Sequence, residues 1–206
     1  MSDEFREYRK RRYSAFTAKA KRVARDVRSE VTIRAAAITG LPSDAIKTQA
    51  IWDTGATNSV ISPSLRSRLN LIAFGKVPIF GVGQADQSGS GPTSDADVCV
   101  VDIALPNNVN IIGARVAVAS IGGDPAIDLL LGMDIIAMGD FALTADSTGN
   151  TVFSFRFPHY PVAIDFVESI NRYNESMVRA TAEKERLIKD RAFQPNQNRK
   201  KRKHRR

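Results

Sequence analysis

With 206 residues, 43% of them hydrophobic and 25% charged, the chain suits one ordinary domain plus extensions and can bury a true core. A single cysteine, Cys99, excludes an intrachain disulfide and any cysteine-built zinc site, and of the two histidines, His159 and His204, only His159 lies outside a basic tail, leaving little for a Ser-His-Asp triad or a histidine metal centre. The net charge of +8 belongs to the ends: residues 1–30 hold 10 Lys/Arg against 5 Asp/Glu, residues 168–206 hold 13 against 5, and residues 31–167 hold 7 against 12.

The first residues, Met1 to Arg6, are charged and resemble no signal peptide. No stretch approaches the ~20 apolar residues of a membrane span, so the chain reads as cytoplasmic, with no membrane association. Residues 1–30 read as a basic amphipathic helical extension. Phe5, Tyr8, Phe16, Ala20, Val23 and Val27 recur at three- and four-residue steps, interrupted at Arg12, with Arg and Lys on the other face, which predicts a helix over 3–29. From Val31 the texture changes to short apolar runs separated by Gly, Pro, Asn and Asp, as in a mainly β domain of many short strands. Val31–Ile38, Ala50–Trp52, Val98–Leu105, Val109–Ala119 and Thr151–Phe157 are such runs.

Pro158 and Pro161 close that region, giving a β domain over 31–160. A second helical pattern follows at 161–193, with Phe166, Ile170, Tyr173 and Met177 on one stripe and Leu187 continuing it. Residues 194–206 are polar and then, from Arg199, wholly basic. They have nothing to bury and are expected to be disordered.

One segment carries chemistry. Ile51-Trp52-Asp53-Thr54-Gly55-Ala56 sets a carboxylate directly after an apolar strand, followed by a hydroxyl residue and a glycine. Water attack on a peptide carbonyl needs one group to take a proton and another to polarise or protonate the carbonyl oxygen. Two carboxylates held close do both, because they share one proton. The glycine permits a tight turn close to the carboxylate, and Thr54 can brace the loop through its hydroxyl and amide. The tripeptide alone would equally suit a strand ending in a polar turn. Context changes that: about 75 residues on comes Leu129-Leu130-Leu131-Gly132-Met133-Asp134-Ile135-Ile136, an apolar strand, a glycine and the start of a short helix.

In these two segments the chain resembles the retropepsin-like aspartic protease family, over about residues 31–157. The resemblance implies a single-lobe closed β domain with a flap hairpin and a short helix, flanked here by N- and C-terminal α-helical extensions. It places Gly81, Val82 and Gly83 in the flap, and takes Gly139–Leu143 and Thr151–Phe155 as closing strands. It also implies an aspartic endopeptidase. One Asp-Thr-Gly loop per chain cannot make a dyad, so a homodimer pairing Asp53 with its symmetry mate is expected. Thr54 and Gly55 would support the catalytic loop, Ala56, Thr57 and Asn58 would line the groove with Gly81, Val82 and Gly83, and the partner would be a protein or peptide substrate. No metal or organic cofactor is needed.

There are departures. Retroviral members pair an Asp two residues after the catalytic Gly with an Arg after the later Gly; here those positions are Thr57 and Met133. Met133-Asp134 resembles the cellular and bacterial Ddi-type branch more than the viral enzymes. Asp124, Asp128 and Asp134 are candidates for a second acid; Asp134 reads better as a helix-capping residue and Asp124 as part of a turn. The Gly-rich Gly81–Gly91 lacks the Gly-Lys-Ser/Thr ending of a phosphate loop. The basic ends suit either nucleic-acid contact or a solvated tail. Rival readings are a peptide-binding or dimerisation module with weak or no turnover, and a nucleic-acid-associated structural protein.

Overall fold

The computed structural model describes residues 12–41, 44–79, 94–122, 126–163 and 165–193, in two units, Met1–Pro161 and Val162–Arg206. Alternation of side chains builds the first unit. In β2 (Val27–Ala35) Ser29, Val31, Ile33 and Ala35 are buried, while Arg28, Glu30 and Arg34 between them are exposed. That is the period of two expected of a strand with one face on a core. The same rule recurs in β3 (Ile46–Trp52), β4 (Val60–Ile61), β6 (Ser94–Leu105), β7 (Val109–Val118) and β8 (Ile127–Leu131), whereas Gly75 to Pro78 of β5 (Gly75–Ile79) are exposed or half-buried.

These strands form one sheet in the order β2-β3-β8-β4-β7-β6-β5. A further pairing, Thr32–Ala35 against Val101–Ala104, joins β2 to β6 and closes six of the strands into a barrel, with β5 outside the ring. Closure removes the open edges that a flat sheet would leave. Its interior is aliphatic: Ile33, Ile61, Leu65, Ile103, Leu129 and Leu131 are almost wholly removed from solvent. At the β6–β7 irregularity Asp102 is buried too, and its carboxylate accepts from the amides of Gly113 (2.9 Å) and Ala37 (3.2 Å) and faces Arg34 at 3.4 Å. A buried carboxylate is tolerable only with such partners. Gly113 reaches it with φ of 70°, a conformation suited to glycine.

A second, three-stranded sheet has the order β1-β10-β9, from β1 (Ser14–Ala20), β9 (Asp140–Ala145) and β10 (Thr151–Phe157). It turns an aromatic face to the end of β3. Trp52 lies 4.8 Å from Phe155 and 5.0 Å from Phe153 between ring centroids, Phe16 and Phe141 complete the cluster, and the indole N–H donates to the buried Ser29 hydroxyl at 2.9 Å. The helix expected over residues 3–29 is therefore corrected for 14–29, which form β1, a turn and the start of β2; residues 1–11 lie outside the described ones. Of the expected closing segments, 140–143 lie in β9 and 151–155 in β10, and β10 is the middle strand of this second sheet, pairing with β9 on one side and β1 on the other.

The β9–β10 turn is tied by Asp146, whose carboxylate accepts from Thr148 and Asn150; these bonds, the Thr148 hydroxyl first, hold it well below the ordinary carboxylate range. At the other end of the hairpin Asp140 is held by Arg156 (2.6 Å), the Tyr160 amide (3.0 Å) and His159 (3.3 Å). Two short helices belong to this unit, α1 (Pro63–Arg68), capped by the Ser62 hydroxyl, and α2 (Met133–Ile136).

The second unit contains α3 (Phe166–Phe193), as expected of the C-terminal helical pattern. The Asp165 carboxylate accepts from the amides of Val167 and Glu168 at its start. Glu168–Arg172 and Glu175–Arg179 pair along its surface, and the stripe Phe166, Ile170, Tyr173, Met177 is exposed. Among the described residues no helix is long and apolar enough to cross a membrane. The basic tail 194–206 lies outside them.

Two expectations follow from the packing. Phe155 is fully buried at the centre of the aromatic cluster, so Phe155→Ala is expected to cost about 3–5 kcal/mol in urea unfolding. Burial opposes ionisation of Asp140, but the Tyr160 amide, Arg156 and His159 outweigh it and hold its carboxyl below the ordinary value of 3.8. A depressed folded-state pKa stabilises above the unfolded-state value and is lost as pH falls through the folded one. The stability gap between wild type and Asp140→Asn is thus expected to be widest near neutral pH and to narrow in acid below that value, measured as unfolding midpoints across pH.

Candidate active site

The site begins where β3 ends. Trp52 is fixed in the aromatic cluster, and the next residue, Asp53, donates its amide to the Leu131 carbonyl at 2.9 Å, extending the parallel β3–β8 ladder by one step. The chain then turns: the Ala56 amide reaches the Asp53 carbonyl (3.2 Å), and the Gly55 amide donates to Asp53 Oδ1 at 2.8 Å. A Cβ on Gly55 would sit 3.2 Å from that same oxygen, so a larger residue would crowd the carboxylate. Asp53 is half-buried, Ala56 likewise, and Thr54, Gly55, Thr57 and Asn58 are exposed.

What holds the turn is the segment after β8. The Met133 amide donates to the Ala56 carbonyl (2.8 Å) and the Asp134 amide to that of Thr57 (3.1 Å). The two backbones are nearly in contact at Gly132, where a Cβ would lie 2.7 Å from the Asn58 carbonyl group and 2.9 Å from the Ala56 oxygen. Only glycine fits there without moving the loop. Beneath it Ser59 is fully buried; its amide and hydroxyl donate to Asp134 Oδ2 (2.9 Å) and Oδ1 (2.7 Å), and the hydroxyl oxygen accepts from the Gly132 amide at 3.0 Å. Asp134 Oδ1 also takes the Ile135 amide at 2.9 Å. Asp134 therefore does more than cap α2: it ties that helix to the end of the Asp53 loop.

Asp128, another candidate acid, accepts from the Ser62 hydroxyl (2.6 Å) and pairs with Arg68 (2.9 Å). Asp124 lies outside the described residues, as do Gly81, Val82, Gly83 and the rest of 80–93. Among the described residues no three His, Cys, Asp or Glu side chains converge as metal ligands would. Cys99 is buried, and burial pushes its thiol up from the ordinary range, against the opposing pull of Arg66. The His159 ring lies between Asp140 and the Ala137 carbonyl.

Two features escaped the sequence reading. One is the Ser59–Asp134 tie, since Ser59 carries no motif. The other is a row of side chains across the sheet: Ile51 pairs with Leu130, Leu130 with Val60, Val60 with Ala117, and Ala117 with Val98. Ile51, Leu130, Val60 and Val98 are half-exposed, whereas their strand neighbours Trp52, Leu131, Ile61 and Cys99 are buried on the opposite face. By this alternation the apolar row continues along the face from which the Asp53 loop emerges. Alternation within each run was the available signal, but not which runs lie side by side.

Residues 35–135 match the family model described as aspartyl protease. No curated protein matches the sequence. Among solved structures the chain is similar to a retropepsin-like aspartic protease from Rickettsia conorii, at 11% identity over 70% of this chain and 95% of that one, with a TM-score of 0.42. It is also similar to the EIAV protease in complex with an inhibitor (23% identity, 56% and 88% covered, TM-score 0.37) and to the retroviral protease-like domain of Ddi1 from Leishmania major (15%, 62% and 93%, 0.30).

Asp134→Ala would leave the buried Ser59 amide and hydroxyl without their acceptor. A loss of about 1–3 kcal/mol in chemical unfolding is expected, the cost of a stranded buried donor; an unchanged midpoint would mean the tie contributes nothing.

Proposed function

We propose, from the match of residues 35–135 to the aspartyl protease family model, that the chain is a retropepsin-like aspartic protease that hydrolyses peptide bonds as a homodimer in which each subunit supplies Asp53. The observation that carries this reading is the state of the carboxylates around the loop. Asp53 stands half-exposed on a turn locked from below, whereas Asp128 and Asp134 are engaged by Ser62 and Arg68 and by Ser59. Of the candidate acids among the described residues this leaves one carboxylate per chain for chemistry that needs two, and a twofold axis beside the loop would provide the second.

In the dimer the two Asp53 carboxylates hold one proton between them, since like charges at close range do not both ionise. The ionised one takes a proton from a shared water as its oxygen attacks the scissile carbonyl carbon, and the protonated one gives its proton to the carbonyl oxygen. Collapse of the tetrahedral diol breaks the C–N bond: the amine nitrogen takes a proton from the carboxyl that gained one from water, and a diol hydroxyl returns its proton to the other carboxylate, leaving a carboxylic acid and the singly protonated pair. No covalent enzyme intermediate forms. Gly55, by donating to Asp53 Oδ1, fixes the carboxylate's orientation, and Thr54 supports the loop. Ala56, Thr57 and Asn58 line the groove for an extended peptide, with the half-exposed apolar row as its floor. The reaction draws on no cofactor, and the enzyme works in the cytoplasm.

The test is cleavage of a diverse peptide pool by the full chain, read by mass spectrometry from acidic to neutral pH beside Asp53→Asn. Wild type is expected to cleave with a bell-shaped pH dependence and the variant not at all. Mixing the two and re-equilibrating at equal concentration should leave about a quarter of the wild-type activity if the dyad spans two subunits, and about half if each chain acts alone. A folded dimer without cleavage would favour a peptide-binding module.

A further inference from the structure

Beside the Asp53 loop the outer sheet face carries two clefts with a common wall. The first, of about 380 Å³, runs from Asn58 and Asp134 at the loop to Val77, Val98, Lys76 and Arg115. The second, of about 410 Å³, continues from Lys76, Val98 and Arg115 to Val100 and Phe74. Register sets Arg115 opposite Val100 and Ala117 opposite Val98, so the Arg115 side chain stands on the face of Val98 and Val100, away from buried Cys99 and Val116. The floor is therefore apolar, ending in Phe74, which is 59% exposed, and the charge at its centre is positive.

Nothing in the described chain neutralises that charge. Among the described residues neither Lys76 nor Arg115 has a carboxylate within ion-pair distance. The nearest acids in sequence and register are spoken for: Asp97, opposite Lys76 in the ladder, pairs with Arg66 at 2.7 Å, and Asp134 in the cleft wall is held by Ser59. An exposed guanidinium over an apolar floor suits a carboxylate, which it binds through two parallel N–H donors, with an apolar neighbour beside it.

We infer that this cleft selects an acidic side chain in an extended peptide substrate, with Arg115 as the specificity residue and Lys76 as a supporting cation. The inference rests on the protease reading above and names its substrate class. Asn58 is shared by the loop and the cleft, and an extended chain advances ~3.3 Å per residue, so the acidic position falls within a few residues of the scissile bond, on either side, because the twofold axis gives the dimer two such clefts. Apolar residues flanking it would rest on Val98, Val100 and Phe74. Salt should weaken the preference, because the cation is exposed.

The experiment uses peptides that differ only in Glu, Gln or Lys at one scanned position around a bond the wild type cleaves, and compares kcat/KM for wild type, Arg115→Gln and Arg115→Glu. At the responsive position wild type is expected to favour Glu over Lys by about tenfold or more, mostly through KM, as for a charge-assisted contact. Arg115→Gln should level the preference and Arg115→Glu reverse it. Asp53-dependent cleavage with equal rates for all three peptides, or a preference untouched in both Arg115 variants, overturns the inference while leaving the protease intact. A parallel arm measures binding of the same labelled Glu and Lys peptides to Asp53→Asn by fluorescence anisotropy, with and without Arg115→Glu. Should no cleavage be found at all, tighter binding of the Glu peptide, lost on charge reversal, still upholds the cleft; equal binding overturns it independently of catalysis.

Discussion

The approach of two backbones at Gly132 is the constraint on which the site depends. The Asp53 loop has few bonds of its own, and a turn of exposed polar residues would otherwise sample many shapes. It is held because the carbonyls of Ala56 and Thr57 each receive an amide from the segment 133–134, at separations that leave no room for a side chain on residue 132. Ser59 and Asp134 then bolt the same two segments together from the buried side. Such a loop keeps its carboxylate in one orientation without needing substrate to arrange it, as preorganised sites require.

That contact in turn demands a particular topology. β8 must lie parallel to β3, so that Leu131 can receive the Asp53 amide and deliver Gly132 under the loop. β4 must leave the loop on the other side of β8, antiparallel to it. Six strands close around the aliphatic core, which fixes both pairings at once. The second sheet acts from outside: Phe16, Phe153 and Phe155 clamp Trp52, the residue before Asp53, and Ser29 takes its indole proton. Asp53 thus follows directly on one of the most firmly packed side chains of the unit.

How far the sequence could be read depended on whether the signal was local. The strand-glycine-helix at 129–136 and the turn at Asp53 were legible because each is written in a few adjacent residues. The C-terminal helix was legible because Phe166, Ile170, Tyr173 and Met177 alternate steps of four and three, which no strand would produce. Residues 14–29 misled for the converse reason. Phe16 to Ala20 and Val23 to Val27 are steps of four, which fit a helix but are also two strand repeats. The deciding residues, Ala18 and Ser29, are small and polar enough to pass for the other face. What settled the matter was partnership: β10 and β3 offered ladders, and aromatic faces to bury against.

The sequence by itself determined the mainly β class of the chain, the turn at Asp53 with its later glycine, and the basic ends, because composition, turn chemistry and short motifs are properties of neighbouring residues. Only the tertiary structure decided that Asp134 serves the Asp53 loop through Ser59, that Ile51, Leu130, Val60, Ala117 and Val98 form one row, and that Arg115 stands over an apolar cleft with no carboxylate partner among the described residues. Each of these joins residues distant along the chain. Their pairing is set by the global closure of the barrel, where burying one face of every strand at once fixes register, and no local pattern encodes that sum.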